Sequence, residues 1–264
     1  YKNYRIRKKK INTFMNSISA NLNIMIKASE KASKALIRDF GELEKLQVSA
    51  KGPFDFVSNA DIKAEKIIIA ELIKSKRNYS IISEEGENKI GNDKDNVWII
   101  DPIDGTTNFL HGIPHFAISI ALKSKNEIVS GLIYDPIKDE MFYAEKNNGA
   151  YCNNQRIKVS NKKNLENCLF ATGGTNINEI NTKKDIIIRK SGSAALDMAY
   201  VAAGKFDGYF QKNLNIWDIA AGIILVKEAG GIINDIDITK YENVKVLASN
   251  NEINEKLIKN LINF

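Results

Sequence analysis

Asp101 and Asp104 stand three residues apart in the run Asp101-Pro102-Ile103-Asp104-Gly105-Thr106-Thr107-Asn108. Two carboxylates at that spacing, backed by a glycine and two hydroxyls, offer the oxygen-only donor set that a hard cation such as Mg²⁺ takes. Pro102 removes an amide donor and restricts φ, and Gly105 permits a φ > 0 turn. The stretch therefore predicts a tight loop aiming Asp101, the Ile103 carbonyl and Asp104 at one point. Three more acids, Asp61, Glu84 and Asp218, fall at predicted strand ends or helix starts, where α/β folds place functional groups. Taken locally, Asp61 reads as a helix cap or first-turn acid, and Glu84-Glu85 as a solvated pair. Five acids brought together without a cation would repel one another strongly. If they converge, two or more divalent ions must accompany them. With Thr106 nearby, such a centre suits hydrolysis of a phosphate ester, because metals neutralise the phosphate and activate water.

The elements that must carry these groups follow from periodicity. Ile18, Leu22, Met25, Ser29, Ala32, Leu36 and Phe40 step by three and four, predicting a helix over 17–40 closed by Gly41. Lys51-Gly52-Pro53 is a turn before the extended run Asp55–Ser58. A second helix starts at Asn59-Ala60-Asp61, with Ile62, Ile68, Ile69, Leu72 and Ile73 as its apolar side. Strands are expected at 79–82, 97–100, 116–122, 128–134 and 140–145, with Asn147-Asn148-Gly149 as a hairpin turn. Phe109–Pro114 reads as a turn or short helix. Further strands are predicted at 168–172, 186–188, 207–211, 232–233 and 244–247. Helices are predicted from Gly192-Ser193-Ala194-Ala195 to Ala203, over 219–229, and at the C-terminal end through Ile253, Leu257, Ile258 and Leu261. The amides opening the small-residue helix at Ser193 make a possible anion site.

Bulk composition narrows the class. At 264 residues, 44% hydrophobic and 27% charged, the chain has the content of a globular protein large enough for one domain or two joined halves. No apolar run approaches the ~18 residues of a membrane span. The net charge of +6 equals the six basic residues of the first fourteen: Lys2, Arg5, Arg7, Lys8, Lys9 and Lys10. The remainder is neutral, so the basicity is an arm and not a nucleic-acid-binding face. Residues 1–14 read as a disordered or non-native extension, with a targeting or nucleic-acid arm as the other readings. Cys152 and Cys168 have neither metal spacing nor histidines close by, which points to reduced thiols and a cytoplasmic location. His111 and His115 read as packed or hydrogen-bonding side chains rather than ligands.

Two longer signatures then stand out. Trp98-Ile99-Ile100-Asp101-Pro102-Ile103-Asp104-Gly105-Thr106-Thr107-Asn108-Phe109 resembles the first signature of the inositol monophosphatase family. Trp217-Asp218-Ile219-Ala220-Ala221-Gly222, running on to Glu228-Ala229-Gly230-Gly231, resembles the second. Gly192–Asp197 and Gly204–Gly208 resemble the bacterial extragenic-suppressor branch. The resemblance covers the chain from about Met15 onward. It implies a mixed α/β fold, the layered αβαβα sandwich of the inositol monophosphatase and fructose-1,6-bisphosphatase type, in one domain over 15–264 with halves at roughly 15–160 and 161–264.

The resemblance also implies a mechanism. Glu84, Asp101 and the Ile103 carbonyl would bind a first Mg²⁺; Asp101, Asp104 and Asp218 a second; and Glu84 with waters a weaker third. Asp61, 23 residues before Glu84, would pair with Thr106 to activate the attacking water, which displaces the leaving oxygen in line with no phospho-enzyme. Substrate would be held by Asp104, Gly105, Thr106, Ala194, Gln211 and Asp218, the Gly105 and Thr106 amides receiving phosphate oxygens. The implied reaction is hydrolysis of inositol monophosphate or a similar small polyol or sugar phosphate by a lithium-sensitive homodimer that does not enter membranes. Sugar bisphosphates, NADP and nucleotide 3′-phosphates are alternative substrates within the superfamily, and the suppressor branch adds a regulatory partner in the transcription machinery. Two departures bear on substrate choice. Gln211 stands where the family usually has Glu, seven residues before Asp218, and an amide donates as well as accepts and carries no charge. The segment Thr175–Arg189 is also shorter than is usual.

Overall fold

The computed structural model describes residues 18–42, 48–52, 55–86, 88–174 and 186–260. The basic arm and most of the shortened segment (175–185) lie outside the described residues. The chain runs α1 (Ala20–Phe40), β1 (Val48–Gly52), β2 (Asp55–Ser58), α2 (Asn59–Ser75), β3 (Tyr79–Ser83), β4 (Asp93–Asp104), α3 (Thr106–Leu110) and β5 (Ala117–Ser124). It continues through β6 (Glu127–Asp135), β7 (Glu140–Glu145), β8 (Gly149–Cys152), β9 (Gln155–Ile157), β10 (Leu169–Ala171), β11 (Ile187–Arg189) and α4 (Ala194–Ala202). Last come β12 (Gly208–Leu214), α5 (Ile216–Glu228), β13 (Ile232–Ile233), β14 (Val244–Ser249) and α6 (Asn251–Asn260).

Two sheets organise these elements. A seven-stranded sheet has the order β3-β4-β5-β6-β7-β8-β9, and a five-stranded one the order β11-β10-β12-β14-β13. β3 is parallel to β4, and every later pair in the large sheet is antiparallel. Side-chain alternation along β4 shows how the layers assemble. Trp98 and Ile100 face one way, into a cluster with Leu22, Met25, Leu36, Ile68 and Leu72 of α1 and α2. Val97 and Ile99 face the other way, into a cluster with α4 and α5. A strand covered on both faces must be apolar at successive positions, which is why Val97–Ile100 is a continuous run rather than an alternating one. α4 and α5 also pack on β12–β14, and α6 closes the outer face of the small sheet through Ile253 and Leu257 against Phe170, Phe210 and Leu247. The order α1/α2, large sheet, α4/α5, small sheet, α6 is the expected layered αβαβα sandwich.

Several boundaries depart from expectation for local reasons. α1 begins at Ala20 rather than 17, because the Ser19 hydroxyl accepts the Leu22 amide at 3.1 Å and caps it there. Gly41 follows with φ −72°, a right-handed value, so the helix ends without a left-handed cap. Ile62 and Ile258, expected on apolar faces, are 37% and 52% exposed. In α2 the buried stripe is instead Asp61, Ala64, Glu65, Ile68, Ile69 and Leu72, which carries two carboxylates inward. The largest correction concerns the Asp101–Asp104 stretch. It is not a free loop but the end of β4, paired Asp101 to Ser119 and Asp104 to Ala117 with a register shift between them. Such a bulge keeps the backbone in the sheet while re-aiming successive side chains.

Candidate active site

The carboxylates arrive on separate elements. Asp61 lies in the first turn of α2 and is 1% exposed, so its carboxylate faces the interior and not solvent. Glu84 follows β3 directly, its amide donating to the Ile100 carbonyl at 3.3 Å and so continuing the parallel pairing by one step. That puts Glu84 beside Asp101, and the expected solvated pair at Glu84-Glu85 is corrected: Glu84 is half-buried in the cavity wall. Asp101 is buried and its Oδ1 accepts the Ile103 amide at 3.0 Å, which fixes its rotamer from within its own turn. Gly105, with φ +97°, turns the chain out of β4 into α3. The Thr106 hydroxyl donates back to the Ile103 carbonyl at 2.9 Å.

Asp104 and Asp218 are each bound to a helix start. Asp104 Oδ2 accepts the Ala195 amide at 2.8 Å and the Ser193 hydroxyl, and Oδ1 accepts the Ala194 amide at 3.3 Å. The anion expected at the opening amides of α4 is therefore the protein's own Asp104. Asp218 closes a capping box on α5, where its Oδ2 accepts the Asn215 amide at 2.8 Å. Asp101, Asp104 and Asp218 each present a ligand oxygen, and these three oxygens lie within 4.8 Å of one another.

The electrostatics of the group are those of an uncompensated cluster. Burial, then the neighbouring Glu84, Asp104, Asp218 and Asp61 charges, push Asp101 well above the usual carboxylate range. Burial and Asp104 do the same to Asp218. Glu84 is pushed up to about 8 by burial and by Asp61, against a hydrogen bond with Asp101. Asp104 rises only to about 6, because Ser193 and the α4 amides stabilise its charge against the cost of burial. A divalent cation would offset this repulsion, and the donors could hold one: three carboxylate oxygens, no sulfur, and spacing suited to a shared hard ion.

Glu84, Asp101, Ile103, Asp104, Gly105, Thr106, Ala194, Gln211 and Asp218 all line one cavity of about 440 Å³. Asp61 is not on its surface but is close enough for its charge to raise both Glu84 and Asp101. Among the lining residues, Gln211 accepts the Tyr209 hydroxyl at its Oε1 at 2.6 Å. Sequence reasoning missed Ser193, Asp197, Lys190 and Glu65. Ser193 had a signal as the cap of α4, whereas its bond to Asp104 spans 89 positions and had none. Asp197, also in the cavity wall, is buried, accepts the Ser191 hydroxyl, and is pushed well above its ordinary value by burial.

A sequence model described as "Inositol monophosphatase family" matches residues 19–263. The chain belongs to the inositol monophosphatase family. That membership makes it a phosphoric monoester hydrolase. Among curated relatives of this phosphatase, the inositol-1-monophosphatase of Rhizobium meliloti is 48% identical over 83% of this chain and 86% of its own. The Nus factor SuhB of Escherichia coli is 41% identical over 81% and 84%. The crystal structure of extragenic suppressor protein suhB from Bartonella henselae superposes with a TM-score of 0.85 at 47% identity, covering 91% of this chain and 98% of that one. Among the described residues, no helix of the phosphatase is long and apolar enough to cross a membrane.

Proposed function

We propose that the protein is a Mg²⁺-dependent phosphomonoester hydrolase acting on inositol monophosphate or a similar small polyol or sugar phosphate. The observation that carries this reading is the convergence of Asp101, Asp104 and Asp218 from a strand end and a helix start on one point of the cavity. Their oxygens, with Glu84 and the Ile103 carbonyl, would hold two or three Mg²⁺. Bound there, Mg²⁺ would supply charge neutralisation for the phosphate and a lowered pKa for water.

The chain's own groups do the rest. The Gly105 and Thr106 amides donate to phosphate oxygens and orient the phosphorus for in-line attack. The buried Asp61 carboxylate, with the Thr106 hydroxyl aligning the attacking water, takes the proton that water releases. Asp104, Ala194, Gln211 and Asp218 contact the alcohol half of the substrate. We extend the reading to lithium inhibition, a homodimer and a cytoplasmic site of action, as the sequence resemblance implies.

Phosphate release from a panel of inositol, sugar and nucleotide phosphates, with and without Mg²⁺, tests the reading. Wild type should require Mg²⁺ and Asp218→Asn should be at least ~100-fold slower; equal rates for the two proteins would sink it. The Nus-factor names of several relatives favour a second reading, a regulatory contact with the transcription machinery. Complementation of a deletion by folded, inactive Asp218→Asn separates them, since rescue would assign the biological role to binding.

A further inference from the structure

The buried acid of α2 that the mechanism above does not use is Glu65, one helical turn after Asp61 and 5% exposed. Its Oε2 accepts three donors from one turn of chain: the Ser83 hydroxyl, the Glu85 amide at 2.9 Å and the Gly86 amide at 3.1 Å. These donors lie on both sides of Glu84, whose own amide is taken by the Ile100 carbonyl. The backbone of Glu84 is thus clamped between β4, which carries Asp101, and α2, which carries Asp61. The fit is close. A Cβ at Gly86 would come within 2.4 Å of Glu65 Oε1, so a side chain there would push this carboxylate out of its place.

We propose that Glu65 is a positioning residue for the cation site: by gathering the amides and hydroxyl around Glu84, it sets where the Glu84 carboxylate meets Asp61 and Asp101. The inference rests on the proposed metal-dependent function. Asp61 and Glu65 share one face of one rigid helix at i, i+4, so the geometry between the proton-accepting acid and the ligand-bearing turn is set by a single element. Outer groups that orient ligands typically alter metal affinity by about 10- to 100-fold when removed.

Calorimetric titration of the full chain with Mg²⁺ alone, without substrate, reads this directly. Glu65→Ala should bind Mg²⁺ about 10-fold more weakly than wild type. Glu65→Gln, which keeps an acceptor oxygen of the same reach, should stay within about threefold. In turnover assays, Glu65→Ala should raise the Mg²⁺ concentration for half-maximal rate by a similar factor, with the substrate KM at saturating Mg²⁺ little changed. A folded Glu65→Ala with wild-type Mg²⁺ affinity, or a Glu65→Gln as weak as Glu65→Ala, overturns the proposal. Should Glu65→Ala not fold, Ser83→Ala removes one of the three donors and should weaken Mg²⁺ by about threefold; wild-type affinity there overturns it. Wild type that binds no Mg²⁺ would defeat the proposed function itself, whereas a binding wild type with unaffected variants defeats only the role of Glu65.

Discussion

Asp104 Oδ2 and the Ala195 amide are joined at 2.8 Å across 91 positions of sequence. Through that bond the end of β4 in the large sheet is tied to the first turn of α4, the helix layer between the sheets. The carboxylate is held by fixed dipoles, which also explains why its pKa climbs less than those of its neighbours. One group closes a helix and offers its remaining lone pairs to the cavity.

Ser193→Ala separates the two duties of that junction. It removes both the cap of α4, an acceptor for the Leu196 amide at 3.3 Å, and the hydroxyl on Asp104. Stability should fall by about 1 kcal/mol, the usual cost of losing a serine cap, measured as a shifted denaturant midpoint. Activity should fall by less than for Asp104→Asn, which we expect to lose at least ~100-fold.

Stability of the metal-free protein should fall with rising pH. Glu84 and Asp104 are raised to about 8 and about 6, above their usual unfolded values near 4. The folded chain therefore holds protons that the unfolded chain has released. The resulting stabilisation is fully present below pH ~4 and is lost as pH climbs through about 6 and then about 8. Mg²⁺ replaces those protons, so its stabilising increment should grow over the same window. Thermal unfolding between about pH 5 and about pH 8.5, with and without Mg²⁺, reads both slopes; an increment that does not change with pH contradicts the assignment.

Gln211→Glu should move substrate preference toward inositol monophosphate. The Tyr209 hydroxyl already donates to the Gln211 oxygen at 2.6 Å, so a carboxylate can keep that bond while offering a second acceptor in place of the amide NH₂. One hydrogen bond of about 1 kcal/mol corresponds to a change of about fivefold in relative kcat/KM. A substrate panel run on both proteins gives the ratio, and an unchanged ratio would remove Gln211 from the specificity set.

Asp61→Asn should leave Mg²⁺ binding close to wild type and lower kcat by about 10²- to 10⁴-fold, the range for loss of a general base. Calorimetry and steady-state kinetics on the same preparation check the split. A weakening of Mg²⁺ affinity as large as the fall in rate would make Asp61 a ligand instead of a base.

Much of this was legible from residue order. The strand-end position of Asp101, the helix start at Gly192-Ser193-Ala194 and the apolar run Val97–Ile100 are local patterns, and steric and hydrogen-bonding rules act on them within a few residues. The bulge at Asp101–Asp104 was not legible, because it depends on pairing with Ser119 and Ala117. Nor was the start of the inward face of α2, where hydrophobicity placed Ile62 and packing placed Asp61 and Glu65, although Ile68, Ile69 and Leu72 are buried as expected.

The sequence by itself determined the donor chemistry: which acids are present, that Asp101 and Asp104 stand three residues apart, and, through two long signatures, the family. Tertiary structure decided how these groups meet. Only the folded chain brings Asp104 to Ala195, Glu65 to the turn around Glu84, and the oxygens of Asp101, Asp104 and Asp218 within 4.8 Å of one another. The reason is physical. Repelling carboxylates have no local preference to converge, so their convergence is imposed by the packing of α2, α4 and α5 against a sheet buried on both faces.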